Sequence, residues 1–355
     1  MFLKREIGRK VLVVIKKLSV MLDGKKILIT GGTGSLGQAL TKRLLKSDVD
    51  TIRILSRNES KQVEMNSELD DKRLRFFLGD IRDKERLIKS MEDVDVVFHT
   101  AALKHVPIIE YNPFEAIKTN VVGSQNVIDA ALVHNVEKVV CIGTDKAVSP
   151  LNTYGATKLL MEKLFVSANN YLNIDRYRTQ FLAVRYGNVF GSSGSVIPKF
   201  LEQIKNNKKI TITDENMTRF SITMEEALDF ILDCTINGKA SEIYVPKLKG
   251  YSISLIKDAF QKLFGDIEAE TIGIRPGEKL HEVLINQEEI RYCWDLDNKL
   301  MISNANLKDE DIINTHNSKI KRSTQTDAYT SENTERLSVS EIQERIKQFE
   351  KDQIV

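Results

Sequence analysis

Cysteine, tryptophan and long apolar runs are all scarce in this chain. Its 355 residues include 3 cysteines and 1 tryptophan. Cys141, Cys234 and Cys293 are scattered and odd in number. That excludes a disulfide framework and points to a reducing, cytoplasmic compartment. None stands at metal-ligand spacing with another cysteine or with the 5 histidines, so no metal site is expected. Charge of one sign is also lacking. A net charge of +2 gives no electrostatic case for nucleic acid as a partner.

The first 23 residues hold no apolar run longer than Val11–Ile15, too short for a signal-peptide core or a membrane span. Read as a helix, they put Leu3, Ile7, Val11, Val14, Leu18 and Leu22 on one stripe, with Arg5, Arg9 and Lys16 facing away. Such an extension suits peripheral contact with an anionic membrane, or packing on this protein or a neighbouring subunit.

What is present is ordinary globular composition, 41% hydrophobic and 29% charged, at a length that allows one large domain with an appended lobe, or two domains. Strand and helix patterns alternate from Lys26 to about Val189. Candidate strands are Lys26–Thr30, Thr51–Ser56, Leu74–Leu78, Val94–His99, Lys138–Ile142 and Phe181–Arg185. The clearest helix patterns cover Ala116–His134 and Tyr154–Tyr171. The fold class expected is α/β: a Rossmann-type doubly wound parallel sheet with a smaller mixed α/β substrate-binding lobe.

The expected divisions are an N-terminal extension 1–23 and a dinucleotide-binding domain 24–189, with a return segment 225–245. A lobe follows from 190–224 and 246–290, then a C-terminal extension 291–355. Asn304–Asp327 is polar and without hydrophobic periodicity, which predicts a mobile connection. Ser338-Val-Ser-Glu341 reads as a capping box opening a short last helix.

Two strings carry chemistry. Thr30 to Gly37 reads TGGTGSLG between a buried-strand pattern and a helical one. In that context Gly31 permits a tight turn, Gly34 lets backbone approach a pyrophosphate, and Gly37 allows close helix–strand packing; Thr33, Ser35 and Leu36 complete the turn. Downstream, Thr144-Asp145-Lys146 precedes Tyr154-Gly-Ala-Thr-Lys158. Tyr154 and Lys158 are neighbours at i,i+4 on a helix, where a cation would draw the phenol pKa down from about 10 and fit it to take a hydroxyl proton. Asp145 and Lys146 add an acid and a base that simple alcohol oxidation does not need but loss of water does.

Ser56-Arg57 follows the second strand. A hydroxyl and a guanidinium there suit a ribose 2′-phosphate and favour NADP, while Glu59 leaves NAD open.

These strings, with FLGDIRD (Phe77–Asp83), AALKHVPIIEYNP (Ala101–Pro113), KTNVVGSQNV (Lys118–Val127), RYGNVFGSSGSVIP (Arg185–Pro198), ITDENMTRF (Ile212–Phe220) and IRPGEKLHE (Ile274–Glu282), resemble the extended short-chain dehydrogenases/reductases. Within that superfamily they resemble the inverting UDP-N-acetylglucosamine 4,6-dehydratases of polysaccharide and surface-sugar biosynthesis. The resemblance implies oxidation at C4 of a UDP-sugar, elimination of water across C5–C6 and return of hydride to C6, in a homo-oligomer. It implies Tyr154 as the base at O4, Thr144 orienting that hydroxyl, Lys158 holding the nicotinamide ribose, Lys146 as the C5 base and Asp145 as the acid at O6. A lysine base needs a lowered pKa and a carboxylic donor a raised one, and coupling of the pair leaves the reverse assignment open.

By the same resemblance Asp80 and Ile81 frame the adenine, and Ala101, Ala102 and Asn120 lie along the cofactor. Lys104, Asn188, Val196, Arg219, Arg275 and Glu278 are expected at the substrate, and His105 and His281 as structural residues. Asp145 stands where the superfamily usually carries Ser or Thr. Tyr329–Leu337 (YTSENTERL) is more like the tail of a related dehydratase/5-epimerase branch. A nucleotide-sugar 4-epimerase would use Tyr154 but not the Asp145–Lys146 pair; a nonenzymatic dinucleotide sensor would need neither.

Overall fold

A computed structural model describes residues 21–173, 175–192, 194–274, 277–317 and 319–352. The amphipathic pattern of the N-terminal extension falls almost wholly outside them, as does Arg275.

Six strands run parallel at the centre: β1 (Lys26–Thr30), β2 (Thr51–Ser56), β3 (Leu74–Leu78), β4 (Val96–His99), β5 (Lys138–Ile142) and β6 (Gln180–Val184). β5 is buried at every position, as a central strand covered on both faces should be, and after Lys138 it is apolar throughout. The strand order β3-β2-β1-β4-β5-β6 is that of a doubly wound sheet. The chain leaves β1 toward β2 and β3, then crosses back to β4. A crevice therefore opens between the carboxyl ends of β1 and β4, where such sheets bind ligands. One apolar cluster, including Leu40, Phe98, Leu228 and Tyr244, packs on one face of the sheet, and another, including Val127, Met161, Phe165 and Phe181, on the other.

The lobe over those carboxyl ends contains β7 (Ile210–Ile212), β8 (Thr218–Phe220), β10 (Gly250–Ser252) and β11 (Ala269–Thr271), with helices Val196–Lys205 and Ile253–Phe264. β9 (Ile243–Pro246) returns to the sheet beside β6 and parallel to it. The last helix, Val339–Asp352, packs into the lobe's own core through Ile342 and Ile346, both fully buried beside Phe260 and Phe200.

The C-terminal segment departs most from expectation. β13 (Cys293–Asp295), β14 (Lys299–Ile302) and β15 (Lys321–Arg322) extend the main sheet to ten strands with antiparallel pairs beyond β9. β16 (Tyr329–Thr330) pairs with β12 (Val283–Ile285). Within the stretch expected to be a mobile connection, the helix Asp309–Thr315 buries Ile312, and Ile320 is buried beside it. So few apolar residues make no periodicity, and the sequence pattern hid them. The helix expected over Ala116–His134 is also interrupted: Ile117–Val122 forms a π-turn before the α-helix Gly123–Val133. Such turns recur at functional sites, and this one carries Thr119 and Asn120.

Candidate active site

The crevice at the end of β1 is built by close backbone contact. Gly31 has φ 70°, and a Cβ there would lie 2.7 Å from the Ala101 Cα. Only glycine fits both demands. Gly31, Thr33, Gly34, Ser56, Arg57, Asp80, Ile81, Ala101 and Ala102 line a cleft of about 240 Å³. Gly34 caps the helix Ser35–Leu44, so the cleft faces a helix N-terminus. Ser35 and Leu36 begin that helix, and Gly37 sits against the Gly32 backbone outside the cleft.

Asn120 also differs from expectation. Its amide is tied to the Leu103 N–H at 2.7 Å, the Leu103 carbonyl at 3.0 Å and the Thr157 hydroxyl at 3.0 Å, so it braces the loop after β4 rather than lining the cleft. Its neighbour Thr119 lines the cleft instead, with a buried hydroxyl that has no partner. Below the cleft His99 bridges the Thr30 and Ser124 hydroxyls at 2.8 and 2.9 Å. Burial pushes it down to about 3, so it stays neutral.

A second cleft, of about 480 Å³, lies between the sheet ends and the lobe. Thr144, Lys146 and Tyr154 line it with Lys104, Asn188, Arg219 and Glu278, and so do His105, Lys279 and Glu282. Val196 lines an adjoining recess with Asn188, Arg219 and Glu278. Asn152 caps the helix Thr153–Ala168, its side chain accepting the Gly155 N–H at 2.8 Å, and its amide holds the Gly277 carbonyl at 3.0 Å. A Cβ at Gly155 would lie 2.3 Å from the Lys146 carbonyl oxygen. Glycine there lets the helix start directly on the Asp145–Ala147 turn, which brings Tyr154 beside Lys146.

Asp145 is fully buried and accepts the Thr144 hydroxyl at 2.7 Å and the Lys146 ammonium at 3.1 Å. Lys146 also donates to the Asn188 side-chain oxygen at 2.9 Å and lies 3.8 Å from Glu282.

The charge states differ from those the motif predicts. Burial raises the Tyr154 phenol above its ordinary value, and the cation working against that rise is Lys146. Lys158 instead donates to the Ile142 carbonyl at 2.8 Å, and burial lowers it to about 8. Burial opposes charge on both members of the next pair, but mutual attraction wins. Asp145 is held below the usual carboxylate value by Lys146 and the Thr144 hydroxyl; Lys146 is held above the usual lysine value by Asp145 and Glu282. Glu282 goes the other way: burial and the nearby Asp145 charge raise it. The pair expected to hold a neutral amine and a carboxylic acid thus holds an ammonium and a carboxylate.

The residues of the first cleft fit a dinucleotide: a glycine turn at backbone contact, a helix N-terminus for a pyrophosphate, and the unpartnered Thr119 hydroxyl. Residues 27–304 match the family model described as polysaccharide biosynthesis protein. The chain belongs to that family. It is 47% identical to a UDP-N-acetylglucosamine 4,6-dehydratase (inverting) of Campylobacter jejuni, over 80% of this chain and 84% of that one. It is 41% identical to a UDP-glucose 4-epimerase of Rickettsia bellii, over 91% of this chain and 96% of that one. Among solved structures it is similar to Pen from Bacillus thuringiensis, with a TM-score of 0.83, 36% identity, and coverage of 92% of this chain and 98% of that one. The resemblance carried by the motifs is borne out at the level of family and fold.

Several polar residues of the site were not singled out by motif reasoning, Lys61, Thr119 and Glu282 among them. Lys61 lines the first cleft one helical turn after Arg57. Thr119 depends on the π-turn, which no propensity announces. Glu282 closes the string IRPGEKLHE, so the signal was present, but its place beside Lys146 comes from packing of the lobe. Among the described residues no cluster of His, Cys, Asp or Glu could hold a metal, and no helix is long and apolar enough to cross a membrane.

Proposed function

We propose that this protein is a nucleotide-sugar 4,6-dehydratase acting on UDP-N-acetylglucosamine with inversion at C5. The observation that carries the reading is the placement of Tyr154 and Lys146 on the wall of one cleft, with Asp145 buried against Lys146 just behind it, next to a dinucleotide-binding crevice. Bound in that crevice, a nicotinamide dinucleotide would supply hydride acceptance from C4 and donation to C6. Ser56, Arg57 and Lys61 favour NADP, because two cations and a hydroxyl suit a 2′-phosphate, and Glu59 is absent from the lining.

Tyr154 takes the O4 proton, with Thr144 orienting the hydroxyl and Lys146 favouring the phenolate against burial. A ketone at C4 makes the C5 hydrogen acidic. The charge states support Asp145, already a carboxylate, as the group that removes it. Lys146 remains an ammonium that holds Asp145 in place and offsets negative charge growing on the sugar. Lys158 braces the strand end through the Ile142 carbonyl. Arg219 and Lys104 supply cations for the diphosphate side of the substrate, and Glu278 and Asn188 supply acceptors for hydroxyls. Arg275 belongs to the same reading through its motif alone. Three buried free cysteines support a cytoplasmic setting. Exposed Tyr111, Phe114 and Ile117, on the segment after β4, support a homo-oligomer.

A second reading, a UDP-hexose 4-epimerase, is favoured by the Rickettsia relative, which matches over nearly its whole length. Epimerisation leaves Asp145 without a task, and Lys146 only its effect on Tyr154. Incubation with UDP-N-acetylglucosamine in deuterated water, followed by NMR, separates the two. The expected product is a 4-keto-6-deoxy sugar carrying deuterium at an inverted C5; appearance of the C4 epimer alone would sink the dehydratase reading.

A further inference from the structure

Elimination of water needs a proton for O6, and the site holds a carboxyl group that none of the motif pairs includes. Glu282 stands just before β12, 4% exposed, on the wall of the Tyr154 cleft. Its backbone is fixed from both sides: its N–H donates to the Ser331 hydroxyl at 2.9 Å, and its carbonyl accepts the Ser331 N–H at 2.8 Å. Oε1 faces Lys146 at 3.8 Å and Arg219 at 3.5 Å. Oε2 is buried with no hydrogen-bond partner.

Asp145 and Glu282 therefore share one ammonium. Two carboxyl groups so placed do not both ionise easily, and the less well supported one keeps the proton. Asp145 accepts the Thr144 hydroxyl and a direct Lys146 hydrogen bond, whereas Glu282 has neither. We infer that Glu282 is the catalytic acid that protonates the departing 6-hydroxyl, with Asp145 as its partner base at C5. The inference rests on the dehydratase reading.

The step balances. The C5–H proton passes to Asp145, and its electron pair forms the C5–C6 double bond. The C6–O6 bond breaks, and O6 takes the Glu282 proton and leaves as water. Inversion needs the returning proton on the opposite face of C5, so it comes from water in the cleft, and Asp145 gives its own proton up to that water. The proton that Tyr154 took from O4 is then available to restore Glu282, along the line of Thr144, Asp145 and Lys146. One water leaves, and no net proton is gained or lost. The raised pKa of Glu282 and the lowered pKa of Asp145 agree with this division.

The test uses the full chain, its nicotinamide cofactor, and two substrates: UDP-N-acetylglucosamine and its 6-chloro-6-deoxy analogue, whose chloride leaves without a proton. Glu282→Gln keeps the shape and removes the acid. It should lose water from the natural sugar about 10²-fold or more slowly, in line with loss of a general acid. It should still eliminate chloride within a few-fold of wild type, and sugar recovered from deuterated water should still exchange hydrogen at C5. Asp145→Asn should lose C5 exchange with both substrates. Unchanged water loss in Glu282→Gln, or equal loss with both substrates, would overturn the inference. The wild-type arm is read separately: only a C4 epimer there would fail the dehydratase reading itself, and the Glu282 assignment with it.

Discussion

At the scale of single residues the site is a contest between burial and pairing. Tyr154 is buried enough that its phenol rises, and Lys146 supplies the main opposing charge. Tyr154→Phe should cost about 10²–10⁴ in turnover while leaving the fold intact, because the hydroxyl is removed and the ring kept. Steady-state rates beside an unchanged circular dichroism spectrum check it, and near-normal turnover would remove Tyr154 from the mechanism. Asp145→Asn removes a group that acts only after oxidation at C4; Lys146→Ala removes one that also favours the Tyr154 phenolate, so its oxidation step should be slowed but not lost. Each should accumulate reduced nicotinamide absorbing at about 340 nm in a single turnover, because the C6 acceptor never forms. Release of 4-keto-6-deoxy sugar at wild-type rates from both variants would show the pair to be misassigned. Gly155→Ala should cost activity as well: the added Cβ would lie 2.3 Å from the Lys146 carbonyl oxygen and must push the turn away from Tyr154.

At the scale of elements, the last helix and the strand ends matter most. Glu341 accepts the Ser338 N–H at 2.7 Å and lies 3.1 Å from Lys249, and these contacts lower it from 4.5 to about 2. A carboxyl depressed on folding stabilises fully above its unfolded value, and that contribution is lost as pH falls from 4.5 toward 2. The group is partly exposed, so salt should weaken the effect. Glu341→Gln should therefore lower Tm at pH 7 and make no difference near pH 2, as paired melts at the two pH values would reveal. Ile346→Ala should cost about 2–5 kcal/mol, since the side chain is fully buried in the lobe core. Just past β6, Arg185 is held by Glu162 and Glu289, with the Arg185 and Glu162 side chains at 0% exposure. Removing one partner of a buried ionic group leaves the others uncompensated, so Arg185→Ala should destabilise by about 3–5 kcal/mol. Urea unfolding would measure both losses.

At the scale of the whole molecule, two clefts are joined by one topology. The switch point between β1 and β4 sets the dinucleotide crevice, and the lobe closes a substrate cleft above β5 and β6. Cofactor choice belongs to this scale, because Arg57 and Lys61 reach the first cleft from a turn and a helix after β2. The double change Arg57→Ala with Lys61→Ala should weaken NADP binding more than NAD binding; calorimetric titration showing equal losses would reject the NADP preference.

The sequence by itself determined the central sheet, because buried parallel strands read as apolar runs and the glycine turn after β1 is a local requirement. It determined the family and the names of candidate site residues, because Tyr154, Lys158, Asp145 and Lys146 lie in short strings. It did not reveal the C-terminal strands β13–β15, whose few apolar residues pair only with distant partners, nor the π-turn that turns Thr119 toward the cleft and Asn120 away from it. The division of charge was also decided by tertiary structure. A pKa depends on burial and on neighbours brought from elsewhere in the chain: packing of the lobe against the strand ends set Glu282 beside Lys146, and packing of the helix Thr153–Ala168 on the sheet set Lys158 against the Ile142 carbonyl.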